Sequence, residues 1–219
     1  MTISELAKLD PATLLIVHHP ADVLRQRAAP IAEISPAIKA IAARMIEIMR
    51  QEAGIGLAAP QVGLPIRMFI VDVPPTSTEP PARDSSDDTD DDNEDVDDDD
   101  TEDLEPEDIR SADTDPPTAT RGLQVYINPV ITRPSPGVIP FEEGCLSLPN
   151  IRGRVNRPDQ VTITATNLRG EKFTSRAAGL LARCWQHEYD HLEGILIIDR
   201  MLQADRTKNR AKLKRLEQG

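Results

Sequence analysis

One stretch of this chain cannot join any folded core, and it divides the sequence into two arms that must close on each other. Residues 75–121, centred on DSSDDTDDDNEDVDDDD, hold 20 of the 37 Asp and Glu and three of the 25 Lys and Arg, a net −17. Such a segment repels itself and has too few apolar side chains to offset the entropy of ordering it, so disorder is expected. It reads either as an electrostatic tail for cations or basic partners, or as a solvated insertion between two strands. The second is cheap, because loop closure costs grow only with the logarithm of length. The other residues hold 17 acids and 22 bases, so the chain's −12 describes the insertion and not the folded body. The 219 residues thus imply a single domain, 1–219, interrupted at 75–121.

Within the arms, SPAIKAIAARMIEIMRQEAG gives the clearest helix. Ser35 is a fitting N-cap and Pro36 suits the first helical position. Ile38, Ile41, Met45, Ile48 and Met49 recur at helical spacing, and Gly54 stands at the end. The runs 66–73 (IRMFIVDV) and 123–131 (LQVYINPVI) predict strands. Residues 160–173 predict a hairpin turning at NLRG. AAGLLARCWQHEYDHLEG predicts a helix stopped by Gly194, and DRTKNRAKLKRLEQ a basic C-terminal helix. Strands and helices do not alternate as βαβ units require. The expected class is α+β, with short antiparallel or mixed sheets packed around the helix that carries HEYDH.

The two cysteines, Cys145 and Cys184, are too few for a disulfide framework. The first residues have no basic segment followed by an apolar one, and no run nears the ~18 apolar residues of a membrane span. A reducing, cytoplasmic setting is expected, with no membrane and no DNA partner.

His187 and His191 lie four residues apart with Glu188 between them. On a helix both imidazoles share one face and can share one metal, with the glutamate offset towards a bound water. The bland alternative is a polar helix that happens to carry two histidines. Cys145, in a loop within EEGCLSLP, is a candidate third ligand, since a nearby metal holds a thiolate deprotonated. Three protein ligands leave a position open, as catalytic sites do. Cys184, in LLARCW, reads as a small core residue, and His18 and His19 as structural or exposed. In GIGLAAPQVG (54–63) the small residues let backbone approach another object, and Gln61 presents an amide.

Together GIGLAAPQ, EGCLS and QHEYDH resemble the three signature motifs of the peptide deformylases, in the same order and with every fixed position matched. The resemblance covers about 1–74 and 122–219. It implies a metal-dependent hydrolase that removes the formyl group from the N-terminal formylmethionine of nascent polypeptides and releases formate. It implies Fe2+ on Cys145, His187 and His191, with Zn2+, Ni2+ or Co2+ able to substitute. It implies a metal-bound water as nucleophile, Glu188 as general acid and base, and an oxyanion stabilised by Gln61 and the Leu146 N–H. Gly56, Ile55, Arg152 and Glu143 are implied as substrate-binding. The stem of Arg183 would line a pocket that some members line with an aliphatic residue. Gln186 and Asp190 are plausible groups in the shell around the ligands, and the sequence leaves open which acceptor each imidazole uses.

A zinc endopeptidase would share the helix but leave Cys145 and Gln61 without a use. A non-enzymatic metal or interaction protein would put the function in the acidic insertion. The six basic residues between Arg206 and Arg215 read as a solvated helix or as a dock for the ribosome near its exit tunnel.

Overall fold

The computed structural model describes Leu6, residues 8–75 and residues 115–218. Most of the acidic insertion lies outside the described residues. The last part of 75–121 belongs to the body instead. Ala178 N–H donates to Pro117 O, Leu181 N–H to Thr118 O, and Val73 N–H to Thr120 Oγ1 at 2.9 Å. These prolines and threonines lack the charge of the Asp block, so backbone bonds can order them.

The long helix α1 (Pro36–Gln51) begins as its sequence dictates, with Ser35 Oγ accepting from Ile38 N–H. Its buried side chains, Ile38, Ile41, Ala42, Met45, Ile48 and Met49, follow the apolar stripe. Among the described residues, seven strands follow in two antiparallel sheets. The larger has the order β1–β2–β3–β6–β7, formed by β1 (Gly56–Ala58), β2 (Met68–Val71), β3 (Gln124–Thr132), β6 (Gln160–Thr166) and β7 (Lys172–Ala178). The smaller is the hairpin β4 (Val138–Cys145) and β5 (Leu148–Pro158). The α+β class stands, with antiparallel ladders in both sheets.

β2 is buried along its whole length because the sheet is covered on both faces. Its side chains alternate: Met68 and Ile70 join α1 in one core, Phe69 and Val71 join α2 (Gly179–Leu192) in another. Phe69 stacks on Tyr126 at 4.8 Å, and Tyr126 meets Trp185 of α2 edge-on at 5.6 Å. A bulge in β3 follows Ile127, where Asn128 takes φ 50°. Its side-chain amide clamps both backbone groups of Ile31 at 2.8 Å, which fixes the preceding chain against the sheet.

A third core under the hairpin joins Leu148, Ile151 and Val155 to Leu24 and to Leu196–Ile198. After α2 come the short α3 (Ile197–Arg200) and the C-terminal α4 (Gln203–Glu217). α4 is tied to β5 through Asp205, Asn209 and Lys212. No described helix is long and apolar enough to cross a membrane.

Candidate active site

Cys145 is the last residue of β4, and not part of a free loop as its surroundings in the sequence suggested. The hairpin turns immediately after it, through Leu146 and Ser147, so strand pairing fixes its position. Opposite stands α2, stopped by Gly194 at φ 72°. A Cβ on Gly194 would lie 2.5 Å from Arg25 O, so glycine alone lets the chain leave the helix there.

The helix brings His187 and His191 together with ring centres 5.0 Å apart. Cys145 Sγ lies 3.3 Å from His191 Nε2, and one ligand atom from each of Cys145, His187 and His191 lies within 4.8 Å of the other two. His187 Nδ1 bonds Glu143 Oε2 at 3.0 Å, which leaves its Nε2 for the centre. Burial together with the charges of His187 and Arg157 pushes His191 well below its ordinary pKa, so it presents a neutral lone pair. Burial opposes charging His187 too, but its hydrogen bonds to Cys145 and Glu143 prevail and push its pKa up. This donor set of one sulfur and two imidazoles fits a transition-metal cation.

Glu188 is buried beside this cluster. Its Oε2 has no hydrogen-bond partner among the described residues. A buried carboxylate oxygen without a donor is costly, and a water or ligand in the cluster would satisfy it. Burial raises the Glu188 pKa from 4.5 to about 7, against the lowering pull of His187 and Arg157. Gly56 gives Glu188 its room: a Cβ there would sit 2.5 Å from Glu188 Oε1 and 2.8 Å from Cys184 Sγ. This is the reason for a small residue in GIGLAAP that the sequence pattern alone left general.

Gln61 is buried and oriented. Its Oε1 accepts from Ala58 N–H at 2.8 Å, so Nε2 points to Cys145 Sγ and Ser147 Oγ, both at 3.5 Å. Gly56 opens β1, an edge strand of the larger sheet, and among the described residues pairs on one side only, with Val71. Its other side borders a cavity of about 400 Å³ whose wall includes Ile55, Phe141, Leu146, Leu180 and Cys184. Arg152, exposed on β5 opposite Gly144, stands at the rim. Burial pushes the Cys184 thiol pKa up, as suits a small core residue and not a ligand. His19 is buried, facing Glu217 at 3.5 Å.

The structure adds to the reading of three further residues. Glu143 lines the cavity, and its carboxylate is already engaged. Both its oxygens are taken, by Arg157 Nε at 2.7 Å and Nη2 at 3.0 Å, by Arg183 Nη1 at 2.8 Å, and by His187. Burial works against its charge, but the bonds from His187 and Arg157 hold it ionised, well below the usual carboxylate range. Among the described residues, Gln186 and Asp190 bond groups other than the ligating imidazoles. Gln186 Nε2 donates to Pro158 O, and Asp190 pairs with Arg157 and Arg200. Arg157 is the residue the sequence reading missed. It is buried, with Glu143 on one side and Asp190 on the other. Its only signal was parity: it falls on the inward side of β5 with Ile151 and Val155.

A sulfur donor, two imidazoles one helical turn apart and a buried glutamate between them make a candidate metal centre of the hydrolase kind. The comparisons with known proteins agree. The sequence profile of polypeptide deformylase matches residues 13–207. The chain is 36% identical over 188 residues to peptide deformylase 2 of Gloeobacter violaceus, covering 85% of this chain and 79% of that one. It is 34% identical to peptide deformylase of Acinetobacter baumannii, covering 94% and 92%. Among solved structures, a plant peptide deformylase superposes with a TM-score of 0.72 at 31% identity, covering 96% of this chain and 92% of its own. A Plasmodium falciparum peptide deformylase in complex with an inhibitor gives 0.69 at 29%, covering 94% and 100%. The chain belongs to the polypeptide deformylase family and is an enzyme.

Proposed function

We propose that this enzyme removes the formyl group from the N-terminal formylmethionine of newly made polypeptides and releases formate. The observation that carries the reading is the convergence of Cys145, His187 and His191 beside Glu188 and the Gln61 amide, at the edge of β1. Cys145, His187 and His191 would hold a ferrous ion, with Zn2+, Ni2+ or Co2+ able to take its place. Once bound, such an ion supplies Lewis-acid charge, which acidifies a water and polarises a carbonyl oxygen.

The protein's own groups do the rest. Glu188, with its pKa near 7, takes a proton from the attacking water and delivers it to the amine as the C–N bond breaks. Gln61 Nε2 and the Leu146 N–H donate to the oxygen that becomes anionic, each worth about 3 kcal/mol of barrier. The free edge at Ile55 and Gly56 pairs with the extended peptide, and Arg152 guides it at the rim. The methionine side chain enters the cavity wall between Ile55, Leu180 and Arg183.

The catalytic body is one domain, and 75–121 is an insertion outside its chemistry. The reaction takes place in the cytoplasm, where formylated chains arise and both cysteines stay reduced. The basic residues of α4 between Arg206 and Arg215 are exposed, which supports docking to ribosomal RNA near the exit tunnel. Ribosome co-sedimentation that survives deletion of 206–219 would remove that last point.

The test is a formate-release assay on protein purified without oxygen, with its metal measured. Formate from a formylmethionyl peptide supports the reading. Internal cleavage of an unformylated peptide without formate release would overturn it in favour of an endopeptidase.

A further inference from the structure

Arg183 stands one turn before His187 on α2, where a pocket wall needs only an apolar stem. Its guanidinium does something an apolar residue could not. Nη1 donates to Glu143 Oε1 at 2.8 Å and to Val155 O at 3.0 Å, and Nη2 donates to Ile139 O at 2.6 Å. The same group lies 5.3 Å from the centre of the Phe141 ring. One side chain of α2 therefore grips both strands of the hairpin and the carboxylate between them.

That grip reaches two of the metal-ligating residues. Glu143 bonds His187 Nδ1, and Cys145 follows Glu143 by two residues on β4. Charge neutrality does not require it. Arg157 already clasps Glu143 through two nitrogens, and removing Arg183 would leave no carboxylate unpaired. A buried guanidinium carries a desolvation cost that an aliphatic wall residue avoids, so its bonds, and not its bulk, account for its presence.

We propose that Arg183 is a positioning residue. It sets the separation between the helix that bears His187 and His191 and the strand end that bears Cys145, and so tunes the thiolate–imidazole geometry around the metal. This rests on the metal site assigned above, and on nothing about the formylated substrate.

The test uses the full chain loaded with Co2+, whose absorption reports thiolate coordination directly. Wild type, R183M and R183K are compared for the thiolate-to-cobalt band, for Co2+ affinity against a chelator, and for kcat and KM on a formylmethionyl peptide. R183M keeps a stem of similar length and loses the fork. It is expected to shift the band, bind Co2+ about tenfold more weakly, and lower kcat with KM little changed. R183K should recover part of each. The cobalt readings need no substrate, so they stand apart from any failure of formate release in the wild type. Should R183M not fold, R183Q is read in its place. An unshifted band and unchanged Co2+ affinity, whatever happens to thermal stability or KM, would overturn the proposal and leave Arg183 as pocket wall.

Discussion

The five-stranded sheet and the β4–β5 hairpin are built on different principles, and the site lies where they meet. In the sheet, β2 is apolar on both faces and sits between two cores. In the hairpin, most of β4 is exposed, with Val138, Ile139 and Phe141 in solvent, and its one fully buried residue is Glu143. Apolar burial is strong but non-directional, and tolerates small shifts. Bonds between guanidinium and carboxylate stabilise little after desolvation, but they fix geometry. The sheet supplies a platform. The hairpin supplies a sulfur at a set distance from two imidazoles more than 40 residues further along the chain.

The largest effect should come from the group that serves the chemistry at this junction. Glu188→Gln keeps the side-chain volume and removes the proton acceptor. It should retain bound metal and lose about a thousandfold in kcat. Parallel loss of metal and activity would show that Glu188 holds the centre together instead.

Next, the contrast itself can be broken. Arg157→Leu removes the cation shared by Glu143 and Asp190, which keep Arg183 and Arg200, and should cost about 2–3 kcal/mol in denaturant unfolding. It should also disturb the cobalt–thiolate spectrum. Ile70→Ala, in the doubly covered β2, should cost about 3 kcal/mol through its cavity and leave that spectrum alone. Equal disturbance by both variants would mean that the sheet, and not the polar clasp, sets the ligand geometry.

The same contrast explains what could be read from the sequence. The apolar regions were legible: the α1 stripe from Ile38 to Met49, the runs at 66–73 and 123–131, and the 160–173 hairpin all follow hydrophobic period. The motifs around Cys145, His187 and Gln61 gave most of the candidate site, because each carries its chemistry in adjacent residues. The β4–β5 hairpin was not legible. VIPFEEGC leaves its apolar side chains exposed, and in β5 the inward positions of LPNIRGRVNRP include Gly153 and Arg157. A buried ion pair has no period, and Glu143 meets Arg157 across 14 residues and Arg183 across 40. Hence the bond from Glu143 to His187 was not legible in the motif. Gly56 read as a small residue that lets backbone approach another object, and the room it makes for Glu188 was not legible.

The smallest expected effect lies where α4 joins the hairpin, and it sharpens the comparison by placing an ion pair near water. Asp205 accepts from Arg154 Nε at 2.8 Å and from Arg154 N–H at 3.0 Å. The side-chain bond from Arg154 is the main reason its pKa falls from 3.8 to about 2. A folded-state pKa below the unfolded value gives stability that is fully present above 3.8 and is lost as the pH falls through about 2. Asp205→Asn should therefore melt slightly below wild type at about pH 6, and the gap should narrow as the pH is lowered below 3.8. The gap should stay small because the Arg154 side chain is 52% exposed, and water and salt screen the pair. A gap that instead widened in acid would mean that Asp205 is bonded more strongly when protonated. The α4–β5 joint would then depend on Asn209 donating to Arg152 O and Lys212 to Asn150 O, and not on charge.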